Sequence, residues 1–276
     1  MTRRGIRAAA AAVAAALATF GAAPAAGQDA PGVTTTVGNH FVQTSTPLTN
    51  GKGEFEAYIT HRFNQNVRDA GGGSLFGLDS GASPGIGIEY VPVKNLAVQV
   101  YRVNNYADYE FALKATLLRP AAKLPLAVGL RGGLDWRTAA YAPKETSWFG
   151  QAIVSYTIAD RVTLAAAPAY VQNTQFQTDV WNVPVIVQIK VTKTIALMGE
   201  YVPKKDYVPD SVYQWSASIE KQVFNHRFAL WMGNSQPTTM DQMIGGDYNG
   251  GVTDRNVKIG FSLSRAWDLF PGSKVN

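Results

Sequence analysis

Apolar and polar residues alternate with a period of two along most of the chain beyond residue 50. Residues 108–117 place apolar side chains at the odd positions and mostly polar ones at the even positions, and residues 213–220 and 256–264 repeat the pattern. Successive side chains of a β-strand point to opposite faces, so each segment has one apolar face and one polar face. The pattern predicts an all-β protein built from amphipathic strands.

About twelve strands are predicted in this way. Many of them are close to ten residues long, which is what a tilted strand needs to cross a bilayer, whereas strands of water-soluble proteins average about five or six residues. The predicted spans are 53–63, 85–92, 95–103, 106–118, 125–136, 147–158, 161–172, 181–191, 194–202, 211–221, 225–233 and 255–267.

The links between these strands alternate in length, apart from one early link at 104–105 that is short where a long one is expected. The short links lie at 92–95, 119–124, 159–160, 192–193 and 222–224, and the long ones at 64–84, 137–146, 173–180, 203–210 and 234–254. Outer-membrane barrels have short periplasmic turns and long extracellular loops. We therefore predict an antiparallel up-and-down transmembrane β-barrel in the cell outer membrane, with both termini in the periplasm.

Aromatic residues support the same fold, because they lie at strand ends on the apolar face while aliphatic residues fill the strand centres. Such residues are expected to form the girdles that meet lipid head groups. Tyrosine and tryptophan also favour β-structure in general, which is the simpler explanation. The residues are Tyr90, Tyr109, Trp136, Trp148, Tyr156, Tyr170, Trp181, Tyr201, Tyr213 and Trp267.

The first 27 residues have the features of a cleaved secretory signal peptide. Arg3, Arg4 and Arg7 precede an alanine-rich apolar run, which ends in small residues typical of a cleavage site. Removal of this segment takes away three arginines and no acidic residue, which lowers the formal net charge from +5 to +2. The mature charge therefore gives no reason to expect a nucleic-acid partner.

Three further regions follow the signal peptide. Residues 28–52 are predicted to form a periplasmic leader that either enters the barrel or stays mobile, residues 53–270 the barrel, and residues 271–276 a C-terminal tail. The chain is 46% hydrophobic and only 16% charged, as expected when the outer surface of the barrel meets lipid. The absence of cysteine excludes thiol catalysis and cysteine-ligated zinc.

Residues 54–119 contain a set of short motifs: Glu54-Phe55-Glu56, Ile59-Thr60-His61-Arg62-Phe63, Leu75 to Ala82, Gly87 to Tyr90, Asn95-Leu96, Tyr109-Glu110-Phe111 and Lys114 to Arg119. On these motifs the chain resembles an uncharacterised family of Gram-negative membrane-bound β-barrels, a domain of unknown function. The resemblance implies an outer-membrane barrel, and it brings no catalytic residue with it. The chain differs from many outer-membrane proteins in not ending on an aromatic residue.

Charged residues on the polar face are predicted to point into the barrel, since they are tolerated there and not against lipid. Both signs occur, so these residues either line a small aqueous pore or brace one another across a closed interior. The predicted inward residues are Glu54, Glu56, Arg62, Glu89, Asp108, Glu110, Lys114, Arg131, Asp135, Lys190, Glu200, Glu220 and Lys258.

Two long loops carry further candidate residues. Leu75, Phe76 and Asp79 in the first long loop are predicted either to constrict the lumen or to form a turn at the rim. Asp247, Asn249 and Asp254 lie among glycines in the last long loop. Their oxygen atoms suit Ca²⁺, but their spacing misses the known consensus, so a solvated loop is preferred and no metal site or cofactor is predicted.

The leading functional prediction is a narrow passive channel for small polar solutes, without enzymatic activity. One alternative is a non-conducting structural or partner-binding barrel that acts through its extracellular loops. A second is a soluble periplasmic barrel that binds an apolar ligand. The expected partners are outer-membrane lipid, lipopolysaccharide and the barrel assembly machinery, with a small polar solute as the cargo of a channel.

Overall fold

The computed structural model describes residues 39–141, 145–175, 178–203, 213–234, 236, 238–245 and 256–268. The predicted signal peptide, the predicted C-terminal tail and the loop residues Asp247, Asn249 and Asp254 lie outside these ranges. The described barrel runs from Glu54 to Asp268.

The described residues form twelve membrane-length strands, two of which are interrupted. The strands are β1 Glu54–Phe63, β2 Ala82–Val93, β3 Leu96–Val103, β4 Asp108–Leu118, β5 Leu126–Arg137, β6 Thr146–Ile158, β7 Val162–Ala166 with Ala169–Gln172, β8 Val180–Asn182 with Val185–Lys190, β9 Ile195–Val202, β10 Gln214–Val223, β11 His226–Gly233 and β12 Lys258–Asp268.

Each strand pairs antiparallel with its neighbours in sequence, and β12 pairs with β1 to close the sheet. At the closure Phe55 lies opposite Trp267, and Ile59 lies opposite Leu263. A closed sheet has no unpaired edge, which is what a membrane-spanning sheet requires. The prediction of a closed antiparallel barrel of about twelve strands is confirmed.

The interruptions in β7 and β8 are explained by proline. Pro168 and Pro184 lie between the two halves of their strands, and a proline nitrogen has no hydrogen to donate to the ladder. The proline carbonyls still take part, because Pro168 accepts from the backbone N–H of Ala152 and Pro184 from that of Ala167, each at 2.9 Å. Pairing therefore continues across both breaks.

The outer surface of the barrel is apolar, with aliphatic side chains such as Ile86, Leu113 and Leu230 exposed along the strands. Aromatic residues lie near both ends of the strands. Tyr109 packs against Trp136 at one end, with ring centroids 5.9 Å apart. Phe55 packs against Trp267 at the other end, at 4.8 Å. This arrangement gives the barrel an apolar belt between two aromatic rims.

The two ends of the barrel differ in their connections, and the end with the short turns is the periplasmic one by the general rule for such barrels. The opposite, extracellular end carries the longer loops and two short α-helices, α1 at Val67–Ala70 and α2 at Met240–Gly245. Among the described residues no helix is long and apolar enough to cross a membrane. The α2 helix is buried along its whole length, which places it inside the barrel.

Candidate functional site

The predicted inward charges occupy the lumen with two exceptions. Glu54 and Lys190 lie at the periplasmic rim, each at the end of its strand, and both are partly exposed. The others are buried and lie inside the barrel: Glu56, Arg62, Glu89, Asp108, Glu110, Lys114, Arg131, Asp135, Glu200, Glu220 and Lys258.

Among the described residues, three ion pairs involve these charges, two of them between predicted inward residues and one with Arg227. Lys114 Nζ lies 2.8 Å from Glu89 Oε2, with both side chains inaccessible to solvent. The guanidinium of Arg131 pairs with the carboxylate of Glu110. Near the periplasmic end, Arg227 Nε lies 3.0 Å from Glu220 Oε2. In each pair a buried carboxylate is neutralised by a buried cation.

Residues 39–50, which we call the N-terminal plug, enter the lumen from the periplasmic end. They form a tight hairpin, in which the N–H of Phe41 donates to the carbonyl of Thr44 at 2.8 Å and the N–H of Thr46 to that of Asn39 at 2.9 Å. His40 pairs with Ser45 between these two bonds. The predicted leader therefore enters the barrel with its described residues.

The tip of the plug is held by Glu200 on β9. One carboxylate oxygen of Glu200 accepts from the backbone N–H groups of Gln43 and Thr44, at 2.9 and 3.1 Å. The other oxygen accepts from Thr44 Oγ1 at 2.6 Å. A carboxylate with several N–H and O–H donors forms strong, charge-assisted hydrogen bonds, so Glu200 fixes the depth of the plug.

The base of the plug is held by other wall residues. Asn39 Nδ2 donates to Glu56 Oε2 at 2.9 Å and to Glu89 Oε1 at 3.0 Å. On the far side of the hairpin, the N–H of Thr49 donates to Thr116 Oγ1 at 2.9 Å. Gly129 leaves room for the chain, because a Cβ atom at that position would lie only 2.6 Å from the carbonyl oxygen of Pro47.

Residues 238–245, which we call the inserted loop, fill the extracellular half of the lumen. The N–H of Met240 donates to Glu110 Oε2 at 2.9 Å, and Gln214 Nε2 donates to the carbonyl of Met243 at 2.9 Å. Just before the loop, Gln236 accepts from Lys258 Nζ at 3.0 Å. The wall of the barrel and the last long loop are therefore joined by direct hydrogen bonds.

One side of the lumen carries a cluster of apolar side chains among polar ones such as Gln151, Gln188 and Glu200, and both inserted segments press apolar side chains against this cluster. Strands β6 to β9 supply the wall, with inward residues Phe149, Ile153, Ala165, Ala167, Ala169, Val171, Val180, Ile186, Met198 and Val202. Phe41 and Val42 of the plug pack with the periplasmic part of this wall. Met240, Met243 and Ile244 of the inserted loop pack with its extracellular part.

Little free volume is left between the two segments. The cavity between them, bordered by His40, Tyr58, Tyr101 and Met243, measures about 40 Å³. That space holds only a few water molecules. A larger cavity of about 280 Å³ lies at the periplasmic end, bordered by Asn50 and Arg227 among others.

His40 lies at the centre of this packing. Its ring lies 4.6 Å from that of Tyr58, and its carbonyl accepts from Arg227 Nη1 at 2.9 Å. Burial, together with the positive charges of Arg227, Lys114 and Arg131, lowers the pKa of His40 well below its ordinary range. The imidazole is therefore neutral as long as the plug is in place.

Of the two alternatives for the first long loop, a constriction of the lumen and a turn at the rim, the described residues do not form a constriction. Leu75 and Phe76 are 55% and 56% exposed, and Asp79 is exposed as well. The loop is held to itself, since the N–H of Phe76 donates to the carbonyl of Gly71 at 2.8 Å. The described part of the last long loop enters the lumen instead, because its apolar residues match the apolar wall.

The apolar wall was not predicted from the sequence, and entry of the leader was only one of two alternatives. The sequence does contain an indication of this wall. Ile153 and Val154 point to opposite faces of β6, and both are apolar. Strands that are apolar on both faces have both faces buried or in lipid. The plug left a weaker signal, since Phe41 and Val42 are an aromatic and aliphatic pair in a segment that is otherwise mostly polar.

Comparisons with known proteins agree with this architecture. A family model described as "Membrane bound beta barrel domain (DUF5777)" matches residues 37–267. A search of curated proteins found no match to the chain.

Solved structures with some similarity are bacterial outer-membrane proteins. Outer membrane phospholipase A from Escherichia coli has a TM-score of 0.42 and 9% identity, over 81% of this chain and 95% of that one. OmpT of Vibrio cholerae in its trimer form has a TM-score of 0.40 and 11% identity, over 78% and 98%. Salmonella typhi OmpF in complex with daunomycin has a TM-score of 0.36 and 9% identity, over 78% and 97%.

Proposed function

The chain belongs to the DUF5777 family of membrane-bound β-barrel domains, and we propose that this outer-membrane barrel does not conduct solutes in its resting state. The observation that carries the proposal is the match between the apolar wall of the lumen and the apolar side chains of the two inserted segments. A water-filled bore would expose these apolar side chains to water. The N-terminal plug and the inserted loop cover them.

The hydrophobic effect gives an estimate of the free energy that holds the plug in the lumen. Burying a large apolar side chain contributes about 1.5–3 kcal/mol, so Phe41 and Val42 together contribute about 3–6 kcal/mol to retention of the plug. This contribution opposes the conformational entropy that the segment loses when it is ordered, which is about 1–2 kcal/mol per residue. The hydrogen bonds to Glu200, Glu56 and Glu89 add to the retention of the plug.

A closed barrel acts through its ends, and the extracellular loops are the surface available for a partner. Leu75 and Phe76 expose large apolar side chains there. This supports a structural or partner-binding role, with lipid and lipopolysaccharide around the belt and the barrel assembly machinery as the expected folding partner.

Gated passage of small polar solutes is the second candidate function. The cavity of about 280 Å³ at the periplasmic end is lined by charged residues, including Glu56, Arg227 and Asp268, and it borders the base of the plug at Asn50. A force that pulled the plug toward the periplasm would connect this cavity with the charged side of the lumen. The sequence-based prediction of a passive channel would then hold only for the released state.

Conductance in planar bilayers tests the resting state. The mature barrel, refolded and inserted into a bilayer, is expected to give no reproducible current steps at low voltage. Steps of constant size in the unmodified protein at low voltage would contradict the proposal, because they require a continuous aqueous path.

A reversible disulfide between the plug and the barrel wall distinguishes the closed barrel from the gated channel. Thr49 Oγ1 on the plug and Thr116 Oγ1 on β4 lie 3.4 Å apart. The chain has no cysteine, so the double substitution Thr49→Cys with Thr116→Cys offers a single disulfide in suitable proximity.

Current steps at high voltage that appear in the reduced double variant and disappear on oxidation would support gating by the plug. Silence in both redox states would support the closed barrel. Each single cysteine variant serves as a matched control, since neither can form the bond.

A further inference from the structure

Three aspartates from different parts of the chain meet inside the extracellular end of the barrel. Asp108 begins β4, Asp135 lies near the end of β5, and Asp241 lies on α2 in the inserted loop. All three side chains are buried, and one carboxylate oxygen from each lies within 4.8 Å of the others. The fold therefore gathers three acidic groups at the point where the inserted loop meets the wall.

Two of these carboxylates are only half satisfied. Asp108 Oδ2 accepts from Thr239 Oγ1 and from Gln242 Nε2, each at 2.8 Å, and Asp135 Oδ2 accepts from the N–H of Asp241 at 2.9 Å. The second oxygen, Oδ1, is buried without a hydrogen-bond partner on both Asp108 and Asp135. Buried polar atoms without partners are costly, so two such atoms in one cluster point to a missing ligand.

The balance of charge points the same way. Arg137 Nη1 lies 2.6 Å from Asp241 Oδ2, and the same guanidinium contacts Glu145 at 3.2 Å. The nearby Arg131 pairs with Glu110. Among the described residues, Arg137 is the cation in contact with this cluster, and it is shared between Asp241 and Glu145, which leaves an excess of negative charge in a region screened from solvent.

We propose that Asp108, Asp135 and Asp241 bind one hard divalent cation of the Ca²⁺ class, which ties the inserted loop to the barrel wall. Hard cations take carboxylate oxygens as ligands and complete their coordination with water. The cation would give the two unpartnered Oδ1 atoms a ligand and offset the excess charge. No metal site was predicted from the sequence, because residues 108, 135 and 241 are far apart in the chain.

This inference does not depend on the proposed function, since a cation at the loop is compatible with a closed barrel and with a gated one. Its main competitor is neutralisation by protons, in which one carboxyl group donates to the next and no metal binds. The two explanations predict different responses to Ca²⁺ at neutral pH.

Isothermal titration calorimetry tests the proposal on the whole mature barrel, refolded in detergent micelles and stripped of metal with a chelator. Titration with Ca²⁺ is expected to show one site per chain. Asp135→Asn on the wall and Asp241→Asn on the loop are each expected to weaken binding at least tenfold. Asp160→Asn is the matched control, because Asp160 is exposed in a turn at the opposite end and loses the same charge.

Thermal unfolding of the same proteins supplies a second measurement. Ca²⁺ is expected to raise the unfolding temperature of the unmodified barrel by several degrees and to leave that of Asp135→Asn unchanged. In chelator, Asp135→Asn should be at least as stable as the unmodified barrel, because one repelling charge is gone.

Two results would overturn the proposal. The first is an unmodified barrel that shows neither Ca²⁺-dependent heat nor a Ca²⁺-dependent unfolding temperature, which would assign the neutralisation to protons. The second is binding that Asp160→Asn weakens as much as Asp135→Asn does, which would indicate general attraction to acidic groups. If Asp135→Asn does not refold, the unmodified barrel and Asp241→Asn still decide between the outcomes.

Discussion

The ion pair between Lys114 and Glu89 tests whether the lumen is filled or open. Its atoms lie 2.8 Å apart, and neither side chain has any exposed surface. Glu89 also accepts hydrogen bonds from Gln99 Nε2 at 2.6 Å and from Asn39 Nδ2 at 3.0 Å. In a filled lumen, Lys114→Met leaves the Glu89 carboxylate buried without its counter-ion.

Removing one partner of a buried ion pair destabilises a protein by about 3–5 kcal/mol, whereas an exposed pair contributes about 0–1 kcal/mol. We expect Lys114→Met to lower the free energy of unfolding by about 3 kcal/mol, at the lower end of the range, because Glu89 keeps two donors. The double substitution Glu89→Gln with Lys114→Met should cost less than the sum of the single ones by about 1–3 kcal/mol.

Urea unfolding in lipid vesicles, followed by tryptophan fluorescence, measures these differences. Lys123→Met in an exposed periplasmic turn is the control, with an expected cost below about 0.5 kcal/mol. If Lys114→Met costs no more than the control, Lys114 is hydrated in the native state. That result would refute the filled lumen and favour an aqueous bore.

Three further predictions concern the belt, the plug and its histidine. Leu113→Arg places a charge on the lipid face and should lower the free energy of unfolding by about 2–4 kcal/mol in the same urea assay. Gly129→Ala adds a Cβ atom 2.6 Å from the Pro47 carbonyl oxygen and should weaken retention of the plug, seen as a lower free energy of unfolding in the same urea assay. His40 is neutral in the plugged state and has its ordinary pKa once released, so the released state binds more protons and retention of the plug weakens as the pH falls below about 6.5. The loss should reach at most about 1.4 kcal/mol per pH unit, and His40→Gln should abolish that part of the pH dependence of unfolding.

Each of these has an outcome that would contradict it. A cost for Leu113→Arg below about 0.5 kcal/mol would place that side chain away from lipid. Gly150→Ala is the control for Gly129→Ala, because a Cβ atom at Gly150 meets nothing within 4 Å, and equal costs in the two variants would disprove a role for Pro47. Identical pH profiles of unfolding in the unmodified barrel and in His40→Gln would show that His40 does not contribute to retention of the plug.

The strands and their inward charges follow from the sequence for a local reason. Alternation along a strand fixes which residues face lipid and which face the lumen. The hairpin turns are short enough to fix the pairing of neighbouring strands. Alternation therefore suffices to assign residues such as Glu89 and Lys114 to the lumen. The closing pair of β1 and β12 follows as well, because a membrane sheet cannot leave an edge exposed.

Alternation, together with the lengths of the strands and of the links between them, predicted that this chain is a barrel, where its membrane belt lies and most of the charges that face inward. Only the tertiary structure decided what fills the lumen. Residues 39–50 and 238–245 contact wall residues that are distant in the chain, as Thr44 does with Glu200 and Asp241 with Asp135. Contacts of this kind depend on the curvature of the closed sheet, which brings one side of the lumen opposite the other. Contacts across the lumen leave no periodic pattern in the sequence. The positions of the plug, the inserted loop and the three aspartates therefore follow only from the fold.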